Sequence, residues 1–291
     1  MPAFGGIRDA EAAKHMGSKT ILVIVAHADD MEFMAGGTIA KMVSQGMEVH
    51  QLITTNNEKG SFTLAKEELV RKSREEEARA ASKFLGLKGV SFLEYPDGEL
   101  TAYPFNEIRE KFMKEIRRIK PDVLLTWDPF APYETHQDHR VVAMAATEAA
   151  EFAHLPLYHP EHKKEGLGPH YVADYLYFAK SPTDVNKIVD ITKYIEKKIE
   201  ALLMHKSQME LTVGEIVIAF KSAGVDLDSI GLKDDIQSID FRTFIDMGIR
   251  TVAARAGEKI GAHYAEVFRY NSFGLAKQVL PDLFKDKEIK I

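Results

Sequence analysis

Short apolar runs alternate with amphipathic stretches along most of the chain, and this alternation predicts an α/β fold. Residues 21–25, ILVIV, are all apolar and either branched or bulky, which is typical of a strand covered on both faces in a parallel sheet. Further strands are predicted at 48–54, 90–93, 123–126 and 174–179.

Helices with one apolar face are predicted between and after these strands. The segments are 34–45, 64–85, 105–119, a helix beginning near 137, and 185–209. The alternation predicts one domain over residues 1–291, a Rossmann-like three-layer α/β sandwich with a mostly parallel central sheet. Residues 154–170 are rich in Pro, Gly and His and are predicted to form a loop, whereas 212–246 have no strong pattern.

Composition and net charge limit the classes of protein to which this chain can belong. A chain of 291 residues with 45% hydrophobic and 28% charged residues is ordinary for a soluble globular protein. The net charge of -6 argues against nucleic acid as a partner. No run approaches the roughly 18 apolar residues of a membrane span, and no signal-peptide core is found, so we expect a cytoplasmic protein; its oligomeric state is left open. Without cysteine, any metal must be bound by His, Asp, Glu or water. The histidines of 154–170 lack tight ligand spacing and are interpreted as surface residues.

Polar residues with metal-binding chemistry follow two of the predicted strands. His27, Asp29, Asp30 and Glu32 come directly after the first strand, and THQDHR at 135–140 follows the fourth. Ligands of open α/β sheets bind outside the carboxyl ends of the strands. Because two adjacent buried carboxylates would repel each other, a cation is the simplest partner for at least one of them.

The second segment supplies imidazoles at helical spacing. His136 and His139 lie three residues apart on one face of a first helical turn, and Asp138 between them can accept an imidazole proton. One histidine can bind a metal while the other stays free. Two imidazoles and one carboxylate leave positions open for water and substrate, which is typical of a catalytic metal. With Asp29 and His136 as the spare groups, the pattern predicts metal-assisted hydrolysis.

Both segments resemble the hallmark motifs of one family, the LmbE-like or PIG-L N-acetylglucosaminyl deacetylases. AHADDME at 26–32 is similar to A-H-P-D-D-x-E, and HQDHR at 136–140 is similar to H-P-D-H. Ala28 and Gln137 replace the usual prolines, which alters turn rigidity and not the ligands. The resemblance is poorest over residues 212–261. Further matches are R-x-x-E-A-x-x-A-x-x-x-L-G at 74–86, YPDG at 95–98, HKSQ at 205–208 and YAEVFR at 264–269.

The resemblance implies a ligand set and catalytic roles. It implies zinc bound by His27, Asp30 and His139, with Fe(II) or another divalent ion as an alternative. Asp29 would be the general base, and His136 would act in its protonated form as the acid or oxyanion group. An ionised base and a charged acid predict a bell-shaped pH dependence of kcat/KM.

The resemblance also assigns supporting residues. It implies that Asp138 orients the acid histidine and that Arg74 contacts substrate. Glu32 is a further candidate for binding sugar hydroxyls, with a structural contact to backbone amide as its alternative. Family members often carry a tyrosine two residues before H-x-D-H, and here that position is Glu134 with Tyr133 before it, so either residue is a candidate.

The resemblance implies that the reaction is removal of the N-acetyl group from a small molecule or conjugate that contains N-acetylglucosamine. One alternative is an amidase that acts on another small amide, such as a thiol conjugate. A non-haem iron oxygenase also uses two His and one carboxylate, but the fold and the spare carboxylate argue against it. A non-catalytic sugar- or nucleotide-binding module would need a phosphate cradle, and no G-x-G-x-x-G follows a predicted strand.

Overall fold

A seven-stranded sheet forms the centre of the computed structural model, which describes residues 19–227 and 240–291. The strands are β1 (Thr20–Val25), β2 (Glu48–Thr55), β3 (Gly89–Tyr95), β4 (Val123–Trp127), β5 (Asp174–Phe178), β6 (Lys187–Asp190) and β7 (Ala265–Ser272). Their order is β3-β2-β1-β4-β5-β7-β6. The first five strands pair in parallel, and β7 runs antiparallel to both of its neighbours.

Helices cover both faces of this sheet. Within the described residues, no helix has the length and apolarity needed to cross a lipid bilayer. The helices are α1 (Asp30–Ser44), α2 (Lys66–Arg71), α3 (Arg79–Leu85), α4 (Phe105–Ile119), α5 (Gln137–Phe152), α6 (Ile195–Leu203), α7 (Lys206–Ser222), α8 (Phe241–Gly257) and α9 (Gly274–Val279). A π-helical segment, Lys72–Ala78, joins α2 to α3.

The uniform apolar character of β1 follows from its position between two cores. Ile21 and Val23 pack into the core that also contains residues of α1 and α6. Leu22 and Ile24 pack into the opposite core, with residues of α4 and α5. Because side chains alternate between the faces of a strand, a strand covered on both faces has no polar positions. The predicted three-layer, mostly parallel α/β sandwich is therefore confirmed.

Two predictions of local structure require correction. The predicted helix at 185–209 is wrong at its start, because Lys187–Asp190 forms β6 and pairs with β7, a strand distant in sequence. The rest of that segment forms two helices, α6 and the beginning of α7. Residues 212–246 contain helical structure in α7 and α8, and the part at 228–239 lies outside the described residues. At β6, pairing with the distant strand β7 outweighs the local helical pattern of the sequence.

The topology gathers four loops at one edge of the sheet. β1 lies between β2 and β4, and Ile24 is paired with Thr126, so the parallel strands end at similar heights. The chain segments that leave β1, β2, β3 and β4 therefore begin side by side. Residues separated by more than a hundred positions can meet there.

A buried ion pair fixes α1 against the antiparallel edge of the sheet. Glu266 on β7 accepts hydrogen bonds from the backbone N–H groups of Gly37 (3.0 Å) and Thr38 (2.7 Å). Its carboxylate also lies 2.5 Å from Nζ of Lys198, which donates a second hydrogen bond to the carbonyl of Phe33. Glu266 and Lys198 are only 5% and 4% exposed. The structural contact of Glu266 thus stabilises the helix that begins at the candidate site.

We expect Glu266→Ala to lower the free energy of unfolding by about 3–5 kcal/mol, because it leaves the Lys198 ammonium buried without a counter-ion. Urea unfolding followed by circular dichroism measures this loss. As a control, Glu200→Ala removes the exposed partner of Arg242 and should cost less than about 1 kcal/mol. Similar losses in the two variants would contradict the assignment of a stabilising role to the buried pair.

Candidate metal centre

Three side chains from two strand ends bring their donor atoms together. Nδ1 of His27 lies 3.1 Å from Nε2 of His139, and Oδ1 of Asp30 lies 3.7 Å and 3.4 Å from these nitrogens. Donor atoms about 2.1 Å from a tetrahedral cation lie roughly 3.4 Å from one another. The three residues therefore fit one divalent cation.

The carboxylate of Asp30 is oriented by three donors to one of its oxygens. Oδ2 accepts hydrogen bonds from the backbone N–H groups of Ala26 (3.0 Å) and His27 (2.9 Å), and from Nε1 of Trp127 (2.9 Å). Oδ1 is thereby directed toward the two histidines. The Trp127 ring also stacks on His139, with ring centroids 3.8 Å apart. Sequence reasoning missed Trp127, although the position at the end of β4 is a usable signal.

Two further carboxylates flank the other nitrogen of His27. Nε2 lies 3.1 Å from Oδ1 of Asp97 and 3.7 Å from Oδ2 of Asp138. Burial alone would lower the pKa of His27, but hydrogen bonds with Asp138, Asp30 and Asp97 raise it well above its usual value. The site therefore stabilises positive charge, which a divalent cation would supply. Asp97 lies in the YPDG segment at 95–98, which matches the family, yet its role was not predicted.

Asp138 does not orient His136 through its carboxylate, so this part of the sequence prediction is wrong. The buried carboxylate accepts hydrogen bonds from the backbone N–H groups of Gly98 (2.6 Å) and Leu100 (3.1 Å). It thereby holds the turn that carries Asp97. The contact with His136 comes from the backbone of Asp138, whose N–H donates to Nδ1 of the imidazole at 3.2 Å.

The surroundings of the histidine at the start of α5 favour a neutral imidazole. Burial, followed by the charges of His27 and His139, lowers the pKa of His136 to about 4. A nitrogen that accepts a backbone N–H carries no proton, so the proton of the neutral ring is on Nε2. The lowered pKa thus disfavours the imidazolium form that the sequence led us to expect for His136. A bound cation would disfavour a charged ring further.

Asp29 is a further carboxylate beside this cluster. It precedes α1, and its side chain makes no capping hydrogen bond to that helix. Burial, reinforced by the charge of Asp30, raises the pKa of Asp29 to about 6. A carboxyl group with this pKa can both accept and return a proton near neutral pH.

Glu134 contacts His139, the second candidate histidine ligand. Its Oε1 lies 3.2 Å from Nδ1 of His139 and accepts the backbone N–H of His136 at 3.0 Å. Burial favours the neutral acid, but hydrogen bonds with His139 and with the backbone of His136, together with the charges of His139 and Lys180, lower the pKa of Glu134 to about 2. Tyr133 is 90% exposed and does not line the cavity described below. Of the two candidates, Glu134 is the one in contact with the site.

A cavity of about 550 Å³ opens above the cluster. Its lining includes the three candidate ligands, Asp29 and His136 on one side and residues of α7 on the other. The two predicted substrate-binding residues do not line it. Arg74 forms an ion pair with Glu94 beside a separate small cleft. Glu32 is buried, with Oε1 at 3.5 Å from Nε2 of His205.

The histidines of the loop at 154–170 are not all surface residues. His162 is 1% exposed and lies between Arg117, 3.1 Å from Nδ1, and Glu110, 2.7 Å from Nε2. With His159 and Glu161 it forms a group of possible metal ligands, but the adjacent guanidinium disfavours a cation there. The surface interpretation is therefore wrong for His162, whose contacts indicate a structural role.

Comparison with known proteins gives the geometry a family context. A sequence model described as PIG-L: GlcNAc-PI de-N-acetylase matches residues 22–150. Diacetylchitobiose deacetylase of Thermococcus kodakarensis is 35% identical over 202 residues, which cover 68% of this chain and 73% of that protein. The 4-oxalmesaconate hydratase of Pseudomonas putida is 29% identical over 205 residues, covering 66% and 75%.

A solved structure extends the similarity over almost the whole chain. N,N'-diacetylchitobiose deacetylase from Pyrococcus horikoshii, complexed with its inhibitor MPG, superposes with a TM-score of 0.71 at 30% identity. The match covers 98% of this chain and 100% of the Pyrococcus horikoshii chain. The sequence motifs, the parallel sheet and these relatives lead to one conclusion: the chain belongs to the PIG-L, or LmbE-like, family.

Proposed function

We propose that this protein is a metal-dependent N-deacetylase that hydrolyses the acetamido group of an N-acetylglucosamine-containing small molecule. The observation that carries the proposal is an unligated carboxylate, Asp29, beside three donor atoms that fit one cation, in an accessible cavity. Relatives named as deacetylases of diacetylchitobiose support the substrate class.

We further propose that the metal is zinc, bound by His27, Asp30 and His139. Two imidazoles and one carboxylate form a donor set that suits zinc and leaves coordination positions open. When bound, the cation would polarise the amide carbonyl and make a water molecule more acidic. Asp97 and Glu134 would orient the two imidazoles from outside.

Asp29 is placed to act as the general base. As the water oxygen attacks the carbonyl carbon, its proton passes to the Asp29 carboxylate. The carbon–nitrogen bond then breaks, and the protonated Asp29 returns the proton to the leaving nitrogen. The products are the free amine and acetic acid, which loses its proton to water to give acetate, and the Asp29 carboxylate is regenerated.

His136 is placed to stabilise the oxygen on which negative charge develops. Its Nε2–H donates a hydrogen bond to that oxygen while its Nδ1 is held by the backbone N–H of Asp138. A neutral imidazole that donates without losing its proton is an established means of electrophilic stabilisation. In this scheme Asp29, and not His136, moves the proton.

The hydratase relative defines a second candidate reaction. Addition of water to a carbon–carbon double bond could use the same cation and base. The two reactions differ in their products, because only amide hydrolysis releases acetate. Assays with N-acetylated amino sugars and with an unsaturated tricarboxylic acid therefore separate them.

Activity assays on an Asp29 variant test the proposed function. We expect the zinc-loaded protein to release acetate from N,N'-diacetylchitobiose, and Asp29→Asn to lose about 100-fold or more of kcat while retaining zinc. Only the ionised carboxylate accepts a proton, so kcat/KM of the parent should fall as the pH decreases, with a midpoint at or below about 6. If the Asp29→Asn variant lost zinc in parallel with activity, Asp29 would be a ligand instead.

Removal of a proposed ligand should abolish metal binding. We expect His139→Ala to lower zinc affinity by more than about 100-fold, since loss of an outer partner of a ligand alone costs about 10–100-fold. Elemental analysis after dialysis against a competing chelator measures the bound zinc. His263→Ala, which removes an exposed histidine, is the control and should bind zinc like the parent. Full zinc occupancy in the His139 variant would refute the ligand set.

Loss of the oxyanion donor should slow turnover without changing the pH profile. We expect His136→Ala to lower kcat by about 100- to 1000-fold at every pH and to retain zinc. The pKa of about 4 keeps the ring neutral above pH 5, so its removal should leave any alkaline limb of kcat/KM in place. Disappearance of an alkaline limb in this variant would mean that His136 acts as an acid after all.

A further inference from the structure

Helix α7 contacts two different environments through its two faces. Met209, Val213 and Val217 pack into a third apolar core with Leu202 and Ile245. The opposite face lines the cavity above the metal centre, at positions spaced i, i+3, i+4 and i+7 along the helix. We call this face the α7 wall; it consists of Gln208, Leu211, Thr212 and Glu215.

The α7 wall is firmly attached at its N-terminal end. The buried carboxylate of Glu77, in the π-helical segment, accepts hydrogen bonds from the backbone N (2.9 Å) and Oγ (2.6 Å) of Ser207. A negative charge at a helix N-terminus is favourable. Next along the helix, Gln208 donates to the carbonyl of Gly60 at 3.4 Å. A Cβ at Gly60 would lie 2.9 Å from Oε1 of Gln208, so a larger residue there would displace the Gln208 amide.

This attachment connects the wall to the metal ligands. The residue before Gly60, Lys59, donates its backbone N–H to Asp97 at 3.2 Å, and Asp97 contacts His27. On α7, Glu215 lies two helical turns after Gln208 and is exposed at the rim of the cavity. At 1.5 Å per residue, the wall extends over about 10 Å. It is long enough to contact a group linked to the sugar that reacts at the metal.

The wall adds a negative charge to a cavity that is also lined by Asp29, Asp30 and Asp97. Both lysines of the lining have acidic neighbours: Nζ of Lys59 lies 2.7 Å from Glu99, and Nζ of Lys180 lies 3.6 Å from Glu134. Glu215 has no hydrogen bond or ion pair with any residue in the described part of the chain. Since the other members of the wall are uncharged, its net charge is negative. An anionic group beside it would be repelled.

We propose that the α7 wall selects the group that is attached to the reacting N-acetylglucosamine. It accepts an uncharged sugar ring in preference to an anionic group. This proposal rests on the deacetylase function proposed above. Leu211, together with Phe33 and Met34 of the same cavity, offers apolar contact to the C–H face of a ring. Gln208, Thr212 and Glu215 offer donors and acceptors for its hydroxyl groups. Glu215 is the residue that discriminates by charge.

The experiment compares a neutral and an anionic substrate on the zinc-loaded full-length protein. The probes are N,N'-diacetylchitobiose and the malate glycoside of N-acetylglucosamine, and both Kd by calorimetry and kcat/KM by acetate release are measured. We expect the parent to prefer the neutral probe. Glu215→Lys should shift the preference toward the malate conjugate by about tenfold or more, and Glu215→Gln should shift it by a smaller factor.

Glu210→Lys is the matched control, since it makes the same charge change on α7 at a residue that does not line this cavity. Its preference should equal that of the parent. A preference that is unchanged in both Glu215 variants, or failure of the parent to bind either probe, would overturn the role of the wall. A Glu215-dependent preference in Kd without acetate release would support the wall and refute the deacetylase function. Acetate release with an unchanged preference would support the deacetylase function and refute the role of the wall.

Discussion

The site depends on how one carboxylate, that of Asp30, is held. Its Oδ2 receives two backbone N–H groups from the end of β1 and the indole N–H from the end of β4. These hydrogen bonds tie two neighbouring strands to the first residue of α1 and leave the other oxygen facing the histidines. Charge-assisted hydrogen bonds are stronger than neutral ones, so the orientation is set before any cation binds. The geometry of the remaining ligands follows from this arrangement.

The surrounding charges give chemically similar residues different pKa values. Burial favours the neutral acid for every aspartate here, yet the outcomes differ. Hydrogen bonds and charges from His139 and His27 lower the pKa of Asp30, whereas burial and the charge of Asp30 raise that of Asp29. Asp30 therefore favours the ionised form that a metal ligand needs, and the pKa of about 6 of Asp29 suits proton exchange near neutral pH. Adjacent side chains acquire different roles because their environments separate their pKa values.

The sequence predicts those parts of the structure that depend on local pattern. The apolar run of β1 and the polar residues after it identify a covered strand and a site at its end, and the family motifs identify the ligand candidates. The support given by Trp127 and Asp97 arises from contacts across the sheet edge, which local pattern does not encode. The neutral state of His136 depends on a backbone N–H and on burial, and both are known only once the chain has folded. For the same reason, the pairing of β6 with a distant strand was missed.

The position of β7 has a consequence for the order of folding. This strand, near the end of the chain, lies between β5 and β6, and its Glu266 holds the backbone of α1. During synthesis the parallel strands emerge first, but the helix that begins with Asp30 gains its buried anchor only when β7 has been made. Such long-range closure is intrinsically slow. Until it occurs, β5 exposes an unpaired edge to other chains, so the nascent protein is most vulnerable to association just before β7 is made.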